Sequence, residues 1–527
     1  MSLSALGSLL LASVLLVGST TASAAAASDP SLFPRRTSSS ESSAQQACTH
    51  LQSALGPIAS ATGNAALYNF TVHNAWNLQN TLYQPTCIVF PRAAADVQTA
   101  MRAIYTAGSH YAVQAGSHSG MQGWNTIQDG VLISFSQMQN VSYDASRDSI
   151  TFEPGIHWGN ATAQLAQYGV APVGGRVGDV GTGLLLGGGV SFLSPSYGFA
   201  ADNFISVDVV LVDGRLVTAT ATNQYADLFR ALKGGANRFG IVTRYEVRAA
   251  HVGTPEETPF YGGLVLYNAT ESANVALVKA VAKYVKEVTD PNASMVTTLT
   301  TAIVNGLPQQ YTWSFLMYNG SSLPPSIFGD FLAIPALDSQ IGALTWTRVL
   351  PVGDEPSPGA ATNSLRGFTQ HFGGSALHGD EELFLNAYTR YKNFTETFMS
   401  AESAPSSGLN LTTLWFTPVL ASQIEQGRLN GGNSMLSGSQ TTPYAMAMLA
   451  EQFNAGLQEI PASVQDGMDL WLEQVPRSEG LPIFVNECDA KQNAFASYGE
   501  YEFLKATYMK YDPGRYNVEH QQGPMGL

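Results

Sequence analysis

The sequence has little charge. Only 12% of its 527 residues are Asp, Glu, Lys or Arg, whereas roughly 25% is usual in soluble domains. Acidic residues outnumber basic ones by 40 to 25, so the formal net charge is −15. Because nucleic-acid binding requires a basic surface, this balance excludes DNA and RNA as partners. Any phosphate group must then be held largely by backbone N–H groups.

Cysteine is also scarce, with three residues in the chain. Cys48 and Cys87 flank a short N-terminal segment, and we predict a disulfide between them. Such a bond requires an oxidising compartment. Cys488 remains as a free thiol, which we expect to be buried.

Beyond the N-terminus, no apolar run is long enough to span a bilayer. Residues 9–17 are apolar and are followed by Ala22, Ser23 and Ala24. This run is shorter than the ~20 residues of a membrane helix, and the small residues form an A-x-A cleavage pattern. The alternative is a buried N-terminal helix. We predict a signal peptide over 1–24, a secreted or secretory-pathway location, and no membrane association after its removal.

Well-known hydrolase motifs are missing. The sequence contains no Walker P-loop, no H-E-x-x-H zinc motif and no G-x-S-x-G nucleophile elbow. These absences argue against zinc hydrolysis and serine hydrolysis. We predict no metal site.

Sequons for N-glycosylation, by contrast, are numerous. Eight asparagines match the N-x-S/T pattern, and glycans on them would solubilise a surface that is poor in charge. The eight positions are Asn69, Asn140, Asn160, Asn268, Asn292, Asn319, Asn393 and Asn410. Together with the signal peptide they favour the secretory pathway.

The order of predicted elements indicates two α+β units. Residues 25–46 are rich in Ala, Ser and Thr and predict a flexible leader. A helix is predicted from Ser43 to Leu55, and another, capped by Asp96, runs to Gly108. The strongest local signal is an Asp213-Gly214 hairpin between two β-rich runs. After a proline-containing boundary near 254–259, strands at 260–267, 295–304 and 311–318 surround a helix over 272–288.

Two glycine clusters, at 114–120 and 174–189, carry most of the functional information. Glycine permits positive φ and lets a ligand touch the main chain, so such clusters can cradle phosphate. Structural turns are the alternative. A Rossmann turn at Gly181 and Gly183, with Asp202 downstream, is disfavoured because no apolar strand precedes it and Gly187–Gly189 break the helix.

A series of motifs in the same order is similar to one known family. The motifs are Pro85–Val89, the 114–118 turn that ends at His118, the second glycine cluster, Tyr197-Gly198, Asp202-Asn203 and most of 227–243. They resemble the berberine-bridge-enzyme-like branch of the FAD-linked oxidases, which share a PCMH-type flavin domain. The resemblance covers about 80–252 and resumes from Phe484 to Pro513.

This resemblance implies an α+β fold. A two-part PCMH-type (VAO-like) FAD-binding domain would be joined to an α+β substrate domain built on an antiparallel sheet. The implied divisions are the signal peptide (1–24), the leader (25–46), the FAD-binding domain (47–253), the substrate domain (254–460) and a C-terminal berberine-like segment (461–527) that returns to the FAD domain. We expect a monomer.

The resemblance also implies the cofactor, FAD, bound covalently from its 8α carbon to His118. A neutral imidazole is the nucleophile that this bond requires. Relatives with a second bond use a cysteine where Arg176 and Val177 stand here, so we predict a single link. The other implied FAD-binding residues are Gln114, Ala115, Gly116, Ser117, Ser119, Gly181, Gly183, Gly187, Gly188, Gly189, Ile241 and Val242.

Two of these residues depart from the family pattern. Gln114 replaces a basic residue, and Ser117 replaces a glycine. If Ser117 needs a positive φ, the turn is strained by about 1 kcal/mol. Its hydroxyl would otherwise be able to donate to a phosphate.

The family's C-terminal motif matches Asn486 and Glu487, and we predict Glu487 as the catalytic base, with a structural glutamate as the alternative. The implied reaction is oxidation of a small organic substrate, such as an alcohol, a sugar or a secondary-metabolite intermediate. Hydride would pass to flavin N5, and O₂ would reoxidise the flavin. The aromatics Tyr311, Trp313, Trp346 and Trp415 would line a pocket or form core. Alternatives are an oxidative cyclase that uses the same site and a secreted, non-enzymatic glycan-binding protein.

Overall fold

The computed structural model describes residues 38–56, 60–61, 65–349 and 366–527. The predicted signal peptide and residues 25–37 of the predicted leader lie outside these ranges. Within them, no helix is long and apolar enough to cross a membrane.

The described strands are β1 (Ser60–Ala61), β2 (Cys87–Val89), β3 (Tyr111–Gln114), β4 (Val131–Ser134), β5 (Val141–Asp144), β6 (Ser149–Phe152), β7 (Val170–Pro172), β8 (Phe204–Val210), β9 (Leu216–Thr220), β10 (Ile241–His251), β11 (Phe260–Tyr267), β12 (Ala293–Val304), β13 (Leu307–Asn319), β14 (Ala336–Ser339), β15 (Gly342–Leu344), β16 (Gln370–His378), β17 (Leu409–Val419) and β18 (Tyr444–Phe453).

The described α-helices are α1 (Ser38–Leu55), α2 (Ala66–His73), α3 (Leu78–Thr81), α4 (Ala94–Ala107), α5 (Trp158–Leu165), α6 (Gly183–Leu186), α7 (Ser194–Tyr197), α8 (Ala226–Ala231), α9 (Glu271–Glu287), α10 (Pro325–Leu332), α11 (Trp346–Val349), α12 (Glu381–Phe398), α13 (Ala404–Ser407), α14 (Ala421–Leu429), α15 (Ala462–Gln474), α16 (Tyr501–Tyr511) and α17 (Tyr516–His520).

The first sheet has the strand order β1-β2-β4-β3. β2 and β3 run parallel to β4, whereas β1 is antiparallel to β2. Apolar residues of α1 and α4 share one core with this sheet. The predicted disulfide is confirmed, because Cys48 of α1 is bonded to Cys87 of β2. Cys488 is a buried free thiol, as expected.

The second sheet is antiparallel, with the order β5-β6-β10-β8-β9 and with β7 paired to β10. β8 and β9 form the predicted hairpin. Leu211 donates its N–H to the carbonyl of Arg215 at 2.9 Å, and Gly214 supplies the positive φ, +80°, that the turn requires. The first and second sheets, with the helices that pack on them, are called the first lobe below.

The third sheet is an antiparallel, eight-stranded sheet in the second half of the chain. Its order is β14-β11-β13-β12-β17-β18-β16, with β15 paired to β11. Apolar residues of α9, α12 and α15 form a core on one face, and the other face meets the first lobe through residues such as Trp313 and Trp415. This sheet and its helices are called the second lobe.

Helix α9 shows why the local sequence forms these elements. The Thr270 hydroxyl accepts the N–H of Ala273 at 3.3 Å and so caps the helix. Leu277, Val281 and Val285 follow at helical spacing and are all fully buried. The negatively charged first turn and the basic last turn complement the helix dipole.

The C-terminal part of the chain returns to the first lobe. The buried Arg238 guanidinium donates hydrogen bonds to the carbonyls of Asn517, Gln521 and Pro524. Helix α15 lies inside the segment that is predicted to return, 461–527. Helix α15 still belongs to the second lobe, because its helically spaced apolar residues, including Met468 and Trp471, pack in that lobe's core.

Two helix starts differ from the predictions. Helix α1 begins at Ser38, within the segment predicted as a leader, and not at Ser43. Asp96 is not the N-cap of α4, because Ala93 occupies that position. Asp96 lies in the first turn of α4 instead, and its carboxylate accepts the N–H of Arg92 at 2.9 Å. Gly108 ends the helix with φ +65°, as predicted.

Candidate active site

The first glycine cluster forms a turn directly after β3. Ser117 has φ +57°, the left-handed conformation considered above. Its hydroxyl donates to the carbonyl of Asn74 at 2.9 Å, so the group is used within the protein. The carbonyl of Ser117 accepts the N–H of Trp76 at 2.9 Å. Together these bonds attach the turn to the segment before α3.

The ring of His118 is held against an aromatic side chain. It stacks on Trp76 with ring centroids 4.4 Å apart and an interplanar angle of 15°. Burial lowers the pKa of His118 to about 4, although the nearby charge of Asp179 opposes the shift. The imidazole is therefore neutral at physiological pH, the form that can act as a nucleophile.

Asp179 lies in a small charged cluster beside this histidine. Its carboxylate is 3.3 Å from Nδ1 of His157 and 2.9 Å from Nη2 of Arg366. Burial opposes the charge of Asp179, but these two contacts outweigh it and keep the pKa of the carboxyl below its ordinary value. Arg366 also donates to the carbonyl of Asn74, the same oxygen that accepts the Ser117 hydroxyl.

The two glycine clusters touch each other. A Cβ atom built on Gly116 would lie 2.5 Å from the Cα and N atoms of Gly181, and the reverse also holds. Because packed backbone atoms cannot be displaced without disturbing the fold, no side chain fits at either position. Gly183 differs, since a Cβ there would meet nothing within 4 Å.

The glycines at 187–189 form a compact turn. Gly187 and Gly188 donate their N–H groups to the carbonyls of Leu184 and Leu185 at 3.2 and 2.9 Å. These two N–H groups are therefore already paired within the protein. Gly188 and Gly189 have φ values of +98° and +74°, which favour glycine. The carbonyl of Gly189 accepts the N–H of Ala200 at 2.9 Å.

The other predicted cofactor residues belong to the first cluster or lie on β10. Gln114 is buried, and its side-chain oxygen accepts the hydroxyl of Ser134 at 3.4 Å. Ala115 follows it in the turn, and the Ser119 hydroxyl donates to the carbonyl of Met121 at 3.3 Å. On β10, Ile241 packs in the core of the first sheet and Val242 in that of the second. This strand therefore joins the two sheets of the first lobe.

The C-terminal motif lies against the second glycine cluster. Asn486 donates from Nδ2 to the carbonyl of Leu184 at 2.9 Å. A Cβ atom on Gly187 would overlap the Asn486 amide, so glycine is required for this approach. The structure thus brings Asn486 and the predicted base, Glu487, to the cluster from which they are far in sequence.

Glu487 is not isolated there. Its Oε1 atom accepts a hydrogen bond from Nη2 of Arg176 at 3.1 Å, and Nη1 of Arg176 donates to the Thr417 hydroxyl at 2.8 Å. Burial raises the pKa of Glu487, and the positive charge of Arg176 opposes that shift. From the sequence, Arg176 stood out only as a residue in the place where some relatives have a cysteine. No local pattern indicated its partner.

An aromatic surface of the third sheet faces this ion pair. The Arg176 guanidinium lies 5.8 Å from the ring centroid of Trp415, which forms an edge-on pair with Trp313 at 5.7 Å. Thr298 is the cross-strand neighbour of both tryptophans. Within the described structure, Nε1 of Trp415 and the Thr298 hydroxyl are buried without hydrogen-bond partners. Trp346, by contrast, is core and packs on Phe260.

Strand β16 places the two halves of the site side by side. Phe372 packs on Trp76 with centroids 5.8 Å apart, and the Phe372 ring also fills the space beside Gly120. Two residues on, a Cβ at Gly374 would lie 2.8 Å from the carbonyl oxygen of Glu487. Phe372 and Gly374 are two residues apart on β16, and a strand rises about 3.3 Å per residue. The segments that carry His118 and Glu487 therefore contact points of β16 that are only ~7 Å apart.

These features fit the cofactor that the resemblance implies. A neutral His118 stands in a strained, anchored turn of the first glycine cluster. Among the described residues outside α6, no atom lies within 4 Å of a Cβ built at Gly183. Buried polar atoms without partners lie on the facing sheet. The described residues therefore suit a group that enters between the lobes along the glycine clusters.

Comparisons with known proteins agree. Residues 85–220 match a family model described as an FAD binding domain. The chain is 29% identical over 444 residues to an uncharacterized FAD-linked oxidoreductase of Arthroderma benhamiae, covering 82% of this chain and 84% of that protein. It is also 29% identical over 490 residues to the FAD-dependent monooxygenase macF of Penicillium terrestre, covering 90% and 87%.

Solved structures share the fold at lower identity. Glucooligosaccharide oxidase from Acremonium strictum aligns with a TM-score of 0.71 and 20% identity, over 91% of this chain and 100% of that one. Xylooligosaccharide oxidase from Myceliophthora thermophila aligns with a TM-score of 0.70 and 18% identity, over 92% and 100%. The predicted α+β fold with a PCMH-type domain is confirmed. The chain is an FAD-dependent oxidoreductase with an FAD binding domain over 85–220, and it shares its fold with these two oxidases.

Proposed function

We propose that this FAD-dependent oxidoreductase is a secreted oxidase that dehydrogenates a small organic molecule, such as an alcohol, a sugar or a secondary-metabolite intermediate. The observation that carries the proposal is the Arg176–Glu487 pair, 3.1 Å apart, between the second glycine cluster and the aromatic surface of the third sheet. Bound FAD supplies the hydride acceptor at N5, and O₂ restores its oxidised form.

His118 is proposed to hold the cofactor through a single covalent bond. Its low pKa supports this role, because a neutral ring nitrogen is a nucleophile and an imidazolium is not. A second, cysteinyl bond is not expected. Cys48 and Cys87 are bonded to each other, and Cys488 is buried against Gly374.

Glu487 is proposed to accept the substrate's O–H or N–H proton. Burial raises the pKa of this carboxyl toward the range in which a general base is effective. Arg176 orients the carboxylate, and its positive charge opposes the rise that burial causes in the pKa of Glu487. Asn486, bonded to the Leu184 carbonyl, is proposed to fix the turn that carries Glu487. The Trp313 and Trp415 rings offer an apolar surface for the substrate.

The remaining cofactor contacts are proposed from the resemblance and from position. They comprise the 114–119 turn, the main chain at Gly181, Gly183 and 187–189, and β10 at Ile241 and Val242. The FAD-binding domain is proposed to consist of about 47–253 and the C-terminal return. The substrate domain begins near 254.

The secretory pathway is proposed on three features. The N-terminal sequence has a signal-peptide pattern, a disulfide joins Cys48 to Cys87, and the sequons are accessible. Among the sequon asparagines, six are exposed, namely Asn69, Asn140, Asn160, Asn268, Asn319 and Asn393, and Asn292 and Asn410 are half-buried. Enzymatic digestion of N-glycans from the secreted protein, followed by mass spectrometry, would identify the occupied positions.

A second candidate function is monooxygenation. It is favoured because several relatives are named FAD-dependent monooxygenases, among them macF, which aligns over 90% of this chain. An oxidative cyclase remains compatible with the same site. A non-enzymatic glycan-binding protein is disfavoured, because the relatives are named as oxidoreductases.

Covalent attachment is tested by acid denaturation. We expect the precipitated wild-type chain to stay yellow, and the His118→Ala protein to release its flavin. His251→Ala is a matched control, because this histidine is exposed and pairs with Asp148. A colourless wild-type precipitate, or a His118→Ala precipitate that stays equally yellow, would rule out this attachment.

The reaction is tested with ¹⁸O₂ and a panel of alcohols, sugars and aromatic metabolites. An oxidase forms one peroxide for each product and places no ¹⁸O in the product. A monooxygenase transfers one ¹⁸O atom to the product and the other to water. Labelled product would therefore replace the oxidase proposal by the second candidate.

A further inference from the structure

A buried histidine of the second lobe lies between two carboxylates. His371 of β16 contacts Glu451 of β18 through Nδ1, at 2.7 Å, and Asp489 of the C-terminal part of the chain through Nε2. The three residues are only 8%, 1% and 5% exposed. A neutral imidazole has one N–H donor, so a doubly protonated ring is the form that donates to both carboxylates.

The electrostatic balance favours this charged ring. Burial disfavours it, but the hydrogen bonds and charges of Asp489 and Glu451 outweigh burial and raise the pKa of His371 to about 9. Two further charged groups act on the cluster. Asp469 of α15 acts on Glu451, and Lys491 acts on Asp489.

Asp489 belongs to a segment that runs along the edge of the third sheet. Residues 478–492, called the strap below, pair with β16 at both ends. The Ser478 N–H donates to the carbonyl of Ala376 at 2.8 Å. At the other end, the Gln492 side chain accepts the N–H of Gly374 at 2.8 Å and donates to its carbonyl at 2.7 Å.

The proposed catalytic residues lie between these anchors. Glu487 is two positions before Asp489, and Gly374 allows the strap to lie directly on the strand there, because a Cβ would come within 2.8 Å of the Glu487 carbonyl. A displacement of Asp489 from β16 would therefore move the turn of Asn486 and Glu487 away from Leu184 and Arg176.

We propose that His371 is a positioning residue, whose contact with Asp489 fixes the strap on β16 and thereby sets the places of Asn486 and Glu487. The effect on the strap is independent of the reaction. The effect on catalysis rests on the proposed function.

The proposal has a defined pH dependence. The pKa of His371 is higher in the folded chain than the ordinary value of ~6.5. Its charged contacts therefore stabilise the fold fully below about pH 6.5, and this contribution is lost as the pH rises through about 9. The strap is expected to loosen over the upper part of this range.

The test compares the FAD-loaded, full-length wild type with His371→Gln and Asp489→Asn. Hydrogen exchange is measured for residues 483–492, with β12 as the internal reference. At pH 7 we expect exchange in 483–492 to be roughly tenfold faster or more in both variants, and unchanged in β12. Lys283→Gln is the control, because it removes an exposed ion pair of the second lobe, between α9 and Asp330, and should leave exchange in 483–492 unchanged.

A pH series separates a positioning role from a general loss of stability. In the wild type, exchange in 483–492 should increase between pH 8 and 10 beyond the intrinsic chemical rate, and His371→Gln should lack this step. If neither variant folds, the pH series of hydrogen exchange in the wild type tests the proposal by itself. Unchanged exchange in the strap, a uniform increase that includes β12, or a wild-type series without the step would each overturn the proposal.

The readout also distinguishes this proposal from the proposed function. If Glu487 is not the base, replacing Glu487 leaves turnover unchanged. Hydrogen exchange in the strap still responds to His371→Gln in that case. If both proposals hold, His371→Gln lowers kcat roughly tenfold, with a smaller change in KM.

Discussion

Arg176 and Glu487 are 311 positions apart in the chain, yet Nη2 of one lies 3.1 Å from Oε1 of the other. The first belongs to the second glycine cluster and the second to the C-terminal motif. Folding of the last part of the chain onto the first lobe therefore completes the charge distribution of the candidate site.

Replacement of Arg176 by glutamine should change the pH dependence of the enzyme. The positive charge opposes the rise that burial causes in the pKa of Glu487, so its removal should raise that pKa further. If the Glu487 carboxylate is the base, the acidic limb of the kcat/KM profile should move upward by about one pH unit or more. Arg215→Gln, at an exposed pair with Asp213, is the control. An unmoved limb would separate Arg176 from the ionisation that governs catalysis.

Gly116 and Gly183 should respond differently to alanine. Gly116→Ala forces a Cβ to within 2.5 Å of the Gly181 backbone, and should destabilise the protein by about 1–3 kcal/mol. Gly183→Ala meets no atom within 4 Å, and its free energy of unfolding should stay within about 0.5 kcal/mol of wild type. Urea denaturation of both proteins measures the contrast. Equal stabilities would show that the two clusters do not touch in solution.

Ser117 has a strained backbone, and its hydroxyl makes a stabilising hydrogen bond. Ser117→Ala keeps φ near +57° and loses the bond to Asn74, so it should cost about 1 kcal/mol. Ser117→Gly loses the same bond but relieves about 1 kcal/mol of strain, so its stability should be close to that of wild type. Parallel denaturation curves test this order. A glycine variant less stable than the alanine variant would contradict it.

The disulfide closes a separation of 39 residues between α1 and β2. Its removal in a Cys48→Ser, Cys87→Ser double variant should lower the free energy of unfolding by about 2–5 kcal/mol. Reduction of the wild type with dithiothreitol should give a similar loss, which controls for the packing of the serines. If thermal unfolding is the same with and without the bond, α1 is held by its apolar contacts alone.

Elements with local signals were predictable from the sequence. The Asp213-Gly214 hairpin and the end of α4 at Gly108 depend on the backbone preferences of neighbouring residues. The start of α4 was not predicted correctly, because Asp96 is a favoured N-cap residue, whereas Ala93, the observed N-cap, gives no such signal.

The site was predictable only in part. Family motifs pointed to His118, the glycine clusters, Asn486 and Glu487, whose roles remain proposals. The partners that set their chemistry were not visible, because Arg176 with Glu487 and His371 with Asp489 are contacts between distant segments. No periodicity or spacing encodes such a contact. The close approach of Gly116 to Gly181 is similar, since a glycine in a sequence does not reveal what lies beside it.

The pairing of Gln492 with Gly374 has a consequence for solubility. β16 is the last strand at its end of the third sheet, and an uncovered strand of this kind offers free N–H and C=O groups to other molecules. The Gln492 amide satisfies one such pair of groups, and Ser478 satisfies others. A chain truncated before residue 478 would thus lose more than its C-terminal motif. It would expose a template for intermolecular strand pairing, and aggregation would accompany the loss of activity.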